Sequence, residues 1–167
     1  MGQHPYDAWD KLLKLNVQGM FHLTQSLLPL LLKAARFEDP ARVVNVGSVM
    51  GEVPKGTATY SYAVSKGAVH HMTRVLSNDL APEFITVNAI APGPFPSKMT
   101  DFALGSEEGR AESAKGVPLG RVGTAEDIAG ALQFLCSRAG AYVSGAILPL
   151  SGGMQSAAPI SIFNEDL

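Results

Sequence analysis

Apolar residues recur every three or four positions near the start of the chain, which predicts one long helix over residues 7–33. Its apolar stripe consists of Trp9, Leu13, Asn16, Met20, Leu23, Leu27 and Leu30. Asn16 is the polar member of this stripe, and a buried amide needs hydrogen-bond partners. The same spacing predicts a second helix over residues 59–80, through Val69, Met72, Leu76 and Leu80.

Three short apolar runs predict strands at 40–48, 84–93 and 145–153, of the kind found in a parallel sheet covered on both faces. Between the last two strands, a helix begins at Thr124 with Asp127 three residues later, as in a capping box. Its predicted buried face is Ile128, Ala131, Leu132 and Leu135. Strands alternating with helices indicate an α/β fold with right-handed crossovers.

The rest of the chain is less regular, and nothing in it divides the molecule. Residues 94–123 are rich in Gly, Pro, Ser and charge, which predicts a mobile loop with one or two short helices within 99–115. The tail 154–167 shows little periodicity. We expect residues 1–167 to form a single domain.

Composition excludes several classes of partner. The 167 residues carry a net charge of −2 with scattered Lys and Arg, so a nucleic-acid partner is not expected. No apolar run approaches the length of a membrane span, and the first residues do not resemble a secretory signal. The single cysteine, Cys136, falls in an apolar helical pattern, which predicts a buried thiol in a cytoplasmic protein.

Tyr62 and Lys66 stand four positions apart on the second helix and therefore share one of its faces. A nearby ammonium stabilises a phenolate and brings tyrosine closer to the working range of an acid–base catalyst. Ser48 ends the first strand, where open α/β sheets place their sites. Its hydroxyl and that of Tyr62 can hold a carbonyl oxygen there, while an unpaired Asn16 amide could hold a water leading to Lys66.

These residues lie within a longer resemblance to the short-chain dehydrogenase/reductase family. It is carried by "WDKLLKLNVQGMFHLTQ", "RVVNVGS", "YSYAVSK", "ITVNAIAPGPFPSKMT", "PLGRVGTAEDIAGALQFLCS" and "GAILPLSGG", from about residue 7 to 153. The wording of "NAIAPGPFPSKMT" most resembles 3-oxoacyl-carrier-protein reductases. The resemblance implies NAD(P)H-dependent reduction of a ketone, or oxidation of a secondary alcohol, and a homodimer or homotetramer. It also implies a partial Rossmann-like doubly wound sheet that lacks its amino-terminal strands.

The same resemblance assigns roles to individual residues. It implies a catalytic tetrad of Asn16, Ser48, Tyr62 and Lys66, with Tyr62 as acid/base and Ser48 orienting the substrate carbonyl. Lys66 would also bind the nicotinamide ribose, and Asn16 would keep a relay water in place. The residues expected beside the NADP(H) or NAD(H) cofactor are Tyr62, Lys66, Pro92, Gly93, Phe95 and Ser97. Ser97 stands where the family usually has threonine, and it keeps the hydroxyl.

One part of a dinucleotide site is missing, because a glycine-rich turn must lead directly into a helix to hold the pyrophosphate. Gly47 and Gly51 follow a strand, but Pro54 comes next and no helix begins there. Three explanations stay open. The chain is a fragment or internally started version of a reductase; or a shortened homologue acting as a cofactor-independent lyase or isomerase; or a non-catalytic interaction protein that oligomerises through helices 7–33 and 59–80.

Two further features of the sequence bear on ligand binding. His70 and His71 are adjacent and point about 100° apart on a helix, so they do not form a metal pair, and no metal site is expected. Arg121 in "PLGRVG" either binds a substrate carboxylate or phosphate, or forms a structural ion pair.

Overall fold

The computed structural model describes residues 4–54 and 59–156. The predicted first helix is present as α1 (Tyr6–Leu13), one π-helical turn (Lys14–Gln18) and α2 (Gly19–Ala34). The π turn places one extra residue in the helix at Asn16, which is buried.

This extra residue shifts the apolar stripe that the sequence predicted. Along α2 the residues nearest the core are Met20, Thr24, Leu28 and Leu31. Leu23 and Leu30, which an uninterrupted helix would bury, are 61% and 63% exposed. The predicted stripe is therefore correct up to Asn16 and wrong by one position beyond Met20, because one residue is absorbed by the wider turn.

All three predicted strands form, as β1 (Ala41–Val46), β2 (Ile85–Pro92) and β3 (Ile147–Leu150). They make a parallel sheet in the order β1-β2-β3. Residues Ile85 to Ala91 of β2 are buried, which fits a central strand covered on both faces. On its outer side β1 pairs with no other strand of the described residues.

The remaining helices also agree with the sequence pattern. They are α3 (Tyr60–Leu80), α4 (Asp101–Leu104), α5 (Glu107–Ala114) and α6 (Ala125–Cys136). Short 3₁₀ turns occupy Val49–Gly51, Ala81–Glu83, Arg138–Gly140 and Met154–Ser156. The two short helices of the predicted loop and the capping box of α6 are both present. Of the predicted irregular tail, residues 157–167 lie outside the described part.

Helices cover both faces of the sheet. One face packs on α2 and α3, in a core of Ala41, Leu76, Leu80, Ile85 and Val87 with Leu28, Leu31 and Met72 against it. On the same face Asn45 Nδ2 donates to Thr73 Oγ1 of α3 at 3.0 Å. On the other face Arg42 Nη2 donates to Ser137 O, just beyond α6, at 3.0 Å. The α/β fold class is confirmed: the sheet is doubly wound, in the Rossmann manner.

Cys136 at the end of α6 is exposed, so the prediction of a buried thiol is wrong. Of the predicted buried face of α6, Leu135 is fully buried, while Ile128, Ala131 and Leu132 are half-buried. Cys136 follows Leu135 by one residue and therefore lies about 100° round the helix from it. Within the described residues, no helix is both long enough and apolar enough to cross a membrane.

Candidate active site at the carboxyl end of the sheet

Ser48 stands two residues beyond β1, in extended backbone that begins the 3₁₀ turn Val49–Gly51. It is buried, and its Oγ accepts a hydrogen bond from the Met50 amide at 3.2 Å. Because that bond uses an oxygen lone pair, the hydroxyl proton stays available for donation. Ser48 can therefore donate to an oxygen placed beside this end of the sheet.

Tyr62 and Lys66 lie one turn apart in the first part of α3, as the sequence predicted. Lys66 Nζ is 5.7 Å from the centroid of the Tyr62 ring and donates to Val46 O, at the end of β1, at 2.8 Å. Lys66 is only 7% exposed, and this burial lowers the pKa of its ammonium group. The helix thereby places the lysine charge between the tyrosine ring and the end of the strand.

Asn16 is tied to the same region of α3 through the π turn. Its Nδ2 donates to Ser65 Oγ at 3.0 Å, and Ser65 Oγ donates to Tyr62 O at 2.7 Å. The expected unpaired amide is therefore wrong for the amide nitrogen, which is occupied by Ser65. Ser65 is fully buried and was not singled out from the sequence, although its place three residues after Tyr62 was a usable signal.

The predicted cofactor residues after β2 lie at the same edge of the sheet. Pro92 ends β2, and the Gly93 amide donates to Leu150 O of β3 at 2.9 Å. Phe95 is half-buried, and its carbonyl accepts from Thr100 Oγ1 at 2.7 Å. Ser97 is exposed, with its hydroxyl 2.9 Å from that of Thr100. These bonds hold the segment beside the ends of β2 and β3.

His70, which the sequence brought up only as a possible metal ligand, lies one turn beyond Lys66 on α3. Its ring is 3% exposed, and its Nε2 accepts a hydrogen bond from the Ser48 amide at 3.4 Å. Gly47 and Gly51, considered from the sequence as a phosphate-binding turn, pack against this ring instead. His70 shares a helix face with Lys66, and that spacing was the signal that could have indicated it.

Arg121 forms the structural ion pair that was one of its two interpretations. Its guanidinium binds both carboxylate oxygens of Asp127, at 2.7 and 2.9 Å, and the Thr124 amide donates to the same carboxylate at 2.8 Å. The Arg121 hydrogen bond is the main cause that holds the pKa of Asp127 well below its usual range. This pair borders a cavity of about 340 Å³ between the loop after β2 and the end of β3.

The polar side chains that the structure brings together at this site are hydrogen-bonding groups. Within residues 4–54 and 59–156, no group of three or more His, Cys, Asp or Glu side chains is placed to hold a metal ion. Its polar atoms are instead hydroxyls, amides, one ammonium and one imidazole. Such a set is suited to hydrogen bonding and proton transfer.

Comparison with known proteins places this chain in a family. A family model described as enoyl-(acyl carrier protein) reductase matches residues 2–155. The rhamnolipids biosynthesis 3-oxoacyl-[acyl-carrier-protein] reductase of Pseudomonas aeruginosa is 41% identical over 150 residues, which are 90% of this chain and 59% of that protein. A 3-oxoacyl-[acyl-carrier-protein] reductase of Aquifex aeolicus is 35% identical, over 87% of this chain and 56% of its own.

Two solved structures are similar to this chain over most of its length. The RhlG/NADP active-site complex of Pseudomonas aeruginosa has a TM-score of 0.88 and 40% identity, covering 93% of this chain and 60% of that one. A gluconate 5-dehydrogenase from Burkholderia cenocepacia, in complex with NADP and tartrate, has a TM-score of 0.82 and 29% identity, over 93% of this chain and 59% of its own. The chain belongs to the short-chain dehydrogenase/reductase family and spans about three-fifths of the length of these relatives.

Proposed function

We propose that this chain supplies the catalytic part of an NAD(P)H-dependent oxidoreductase that reduces a ketone, or oxidises the corresponding secondary alcohol. The observation that carries the proposal is the placing of Lys66 Nζ 5.7 Å from the Tyr62 ring, with Ser48 just beyond the strand end that Lys66 binds. Such a group of donors suits a carbonyl oxygen that gains a proton. The family membership and the NADP complexes of two relatives support the same reading.

The proposed roles follow from the hydrogen-bonding capacity of each group. Ser48 donates its free hydroxyl proton to the carbonyl oxygen and orients it. Tyr62 gives its phenolic proton to that oxygen in reduction and takes it back in oxidation. The Lys66 ammonium stabilises the phenolate that is left behind. Asn16 supports this part of α3 through Ser65 and keeps a relay water near Lys66.

The residues present fit the nicotinamide half of the cofactor. Lys66 carries three N–H donors. Among the described residues, one of these donors binds Val46 O, so two remain for ribose hydroxyls. Pro92, Gly93, Phe95 and Ser97 are proposed to line the nicotinamide at the ends of β2 and β3. When bound, the cofactor supplies a hydride to the carbonyl carbon. We assign no described residue to its pyrophosphate or adenine.

The experiment that tests the function is an NADPH oxidation assay with two classes of ketone. A 3-oxoacyl thioester represents the substrates named for the reductase relatives, and a keto-gluconate represents the gluconate dehydrogenases. We expect turnover with one class that depends on both ketone and cofactor. A chain that binds neither cofactor nor ketone, and oxidises no NADPH, would contradict the proposal and favour the interaction-protein explanation. Proton transfer without any cofactor would favour the lyase or isomerase.

The proposal includes the cellular location and the assembly of the protein. We place the protein in the cytoplasm, since its one thiol, Cys136, is exposed and a reducing compartment keeps such thiols free. We also propose a homodimer or homotetramer. The support is the outer side of β1, which pairs with no strand of the described residues, and the exposed apolar residues of α2 and α3; a second copy can cover both.

A further inference from the structure

The segment that carries Ser48 is held by two side chains from consecutive turns of α3. Lys66 Nζ donates to Val46 O at 2.8 Å, and His70 Nε2 accepts from the Ser48 amide at 3.4 Å. Between these two points, the Gly47 amide donates to Ile90 O of β2 at 2.8 Å. The strand end is thus fixed both to the sheet and to the helix that carries Tyr62.

The backbone around His70 is shaped to receive its ring. A Cβ added to Gly47 would lie 2.2 Å from His70 Nε2, and one added to Gly51 would lie 2.8 Å from His70 Cε1. The loop therefore encloses the ring from two sides, and a side chain at either glycine would displace it. The close packing also explains why His70 is 3% exposed although it lies on a helix near the open end of the sheet.

The hydrogen bond defines the state of the imidazole. Because Nε2 accepts the Ser48 N–H, the ring is neutral with its proton on Nδ1, which faces Glu52 Oε1 at 3.7 Å. The charged groups around the ring are Glu52 from the end of the 3₁₀ turn and Lys66 and Arg74 from α3. Burial of the ring is the main cause that lowers the pKa of His70; Glu52 opposes it, and Arg74 and Lys66 add to it.

We propose that His70 is a positioning residue for Ser48: in its neutral form it accepts the Ser48 amide and fixes the serine hydroxyl toward the substrate, and protonation of Nε2 releases that segment. The catalytic meaning rests on the proposed function, whereas the hydrogen bond and its pH dependence do not. A protonated Nε2 is a donor and cannot accept a backbone N–H. The orientation of Ser48 would then be lost while Tyr62 and Lys66 stay in place.

The test uses the full chain with three variants. His70→Leu removes the acceptor, His70→Gln restores one without a titrating group, and His71→Leu is the matched control because His71 is the exposed neighbour. Hydrogen exchange measures the protection of the Ser48 amide, and ¹⁵N spectra of the imidazole report its tautomer. We expect His70→Leu to lower that protection roughly tenfold to a hundredfold, as for a donor left without its partner, with His70→Gln close to the wild type.

Acidification gives a second, independent readout. We expect the Ser48 protection factor of the wild type to fall as pH drops through the pKa of His70, and that of His70→Gln to stay constant. In the ketone assay, His70→Leu should lower kcat with little change in KM for NADPH, and His70→Gln should recover most of the loss.

The proposal is overturned if the wild-type ring carries its proton on Nε2, or if Ser48 protection is the same in the wild type and in His70→Gln at every pH. Should His70→Leu fail to fold, these two measurements decide the question alone. An inactive wild type that still shows the Nδ1–H tautomer and the pH-dependent protection would contradict the proposed function and leave the positioning role supported.

Discussion

At the scale of single residues, the polar groups around Tyr62 are paired with one another and with backbone. Asn16 binds Ser65, Ser65 binds the Tyr62 carbonyl, and Lys66 binds Val46 O. Each pairing offsets the cost of burying a polar group. The Lys66 ammonium keeps two further donors, and the Ser48 hydroxyl, which accepts from the Met50 amide, keeps its proton for donation.

Replacing Tyr62 by phenylalanine tests its acid–base role. Tyr62→Phe removes the phenolic proton and keeps the ring that Lys66 faces, so kcat should fall roughly 10²- to 10⁴-fold, the usual contribution of a positioned acid or base. NADPH affinity should change little. The control is Tyr60→Phe, two residues earlier in α3, which should retain full activity. Equal losses in the two variants would argue against a specific role for Tyr62.

The lowered pKa of His70 also predicts a pH dependence of stability. The unfolded chain takes up a proton near the ordinary value of 6.5, and the folded chain does so only at lower pH. The unfolded state therefore binds more protons in this window, and the free energy of unfolding should fall as pH drops from about 6.5 toward the folded-state pKa. Denaturant titrations at several pH values should show that the free energy of unfolding falls less steeply with pH in His70→Gln than in the wild type, and as steeply in His71→Gln as in the wild type. An identical pH dependence of the free energy of unfolding in all three proteins would refute the buried neutral ring.

Some contacts between single residues could be predicted from the sequence, and others could not. The helix spacing of Tyr62 and Lys66 was sufficient to bring them together, since four residues make about one turn. The Ser48–His70 bond depends on how closely the loop after β1 approaches α3, which no local pattern encodes. Arg121 had two interpretations until Asp127 was seen to bind both ends of its guanidinium.

At the scale of elements, the observed ends of a helix agree with the predicted ends where the apolar periodicity or a capping residue is clear. Residues 59–80 were predicted as a helix, and α3 runs from Tyr60 to Leu80. The π turn at Lys14–Gln18 was not predictable, because apolar spacing of three and four fits an uninterrupted helix equally well. Its effect is the one-position shift along α2, and it is the place where Asn16 turns toward Ser65.

The capping box of α6 predicts a measurable loss. Thr124→Ala removes the side-chain acceptor at the helix start, and the free energy of unfolding should fall by about 1 kcal/mol. Gln133→Ala, at an exposed position within the same helix, is the control and should be nearly neutral. Equal stabilities of Thr124→Ala and the wild type in urea titrations would show that the cap contributes nothing.

At the scale of the whole molecule, the sequence pattern was sufficient for the α/β class and the parallel sheet, since strands that alternate with helices favour parallel pairing. It was not sufficient to say which apolar surface stays open. Leu23 and Leu30 of α2 and Val64 and Val75 of α3 are more than half exposed in the single chain. An apolar stripe on a helix fits a protein core and a subunit interface equally well, because both bury apolar area.

Assembly through these helices is testable. We expect light scattering at micromolar concentration to give a dimer or larger species, and the double variant Leu30→Lys/Val64→Lys to shift it toward monomer by placing charges in the interface. Tyr142→Lys, at an exposed apolar residue outside both helices, is the matched control and should not alter the mass. A monomeric wild type would rule out the proposed homo-oligomer.

Titration of the purified chain with NADPH and NADH, followed by calorimetry, shows whether the site binds a nicotinamide cofactor. We expect micromolar binding of at least one of them, weakened in Lys66→Met because the ammonium that would reach the ribose hydroxyls is removed. Absence of binding by the wild type at millimolar cofactor would contradict the proposed oxidoreductase function, and would leave Tyr62, Ser48 and Lys66 without hydride chemistry in this chain.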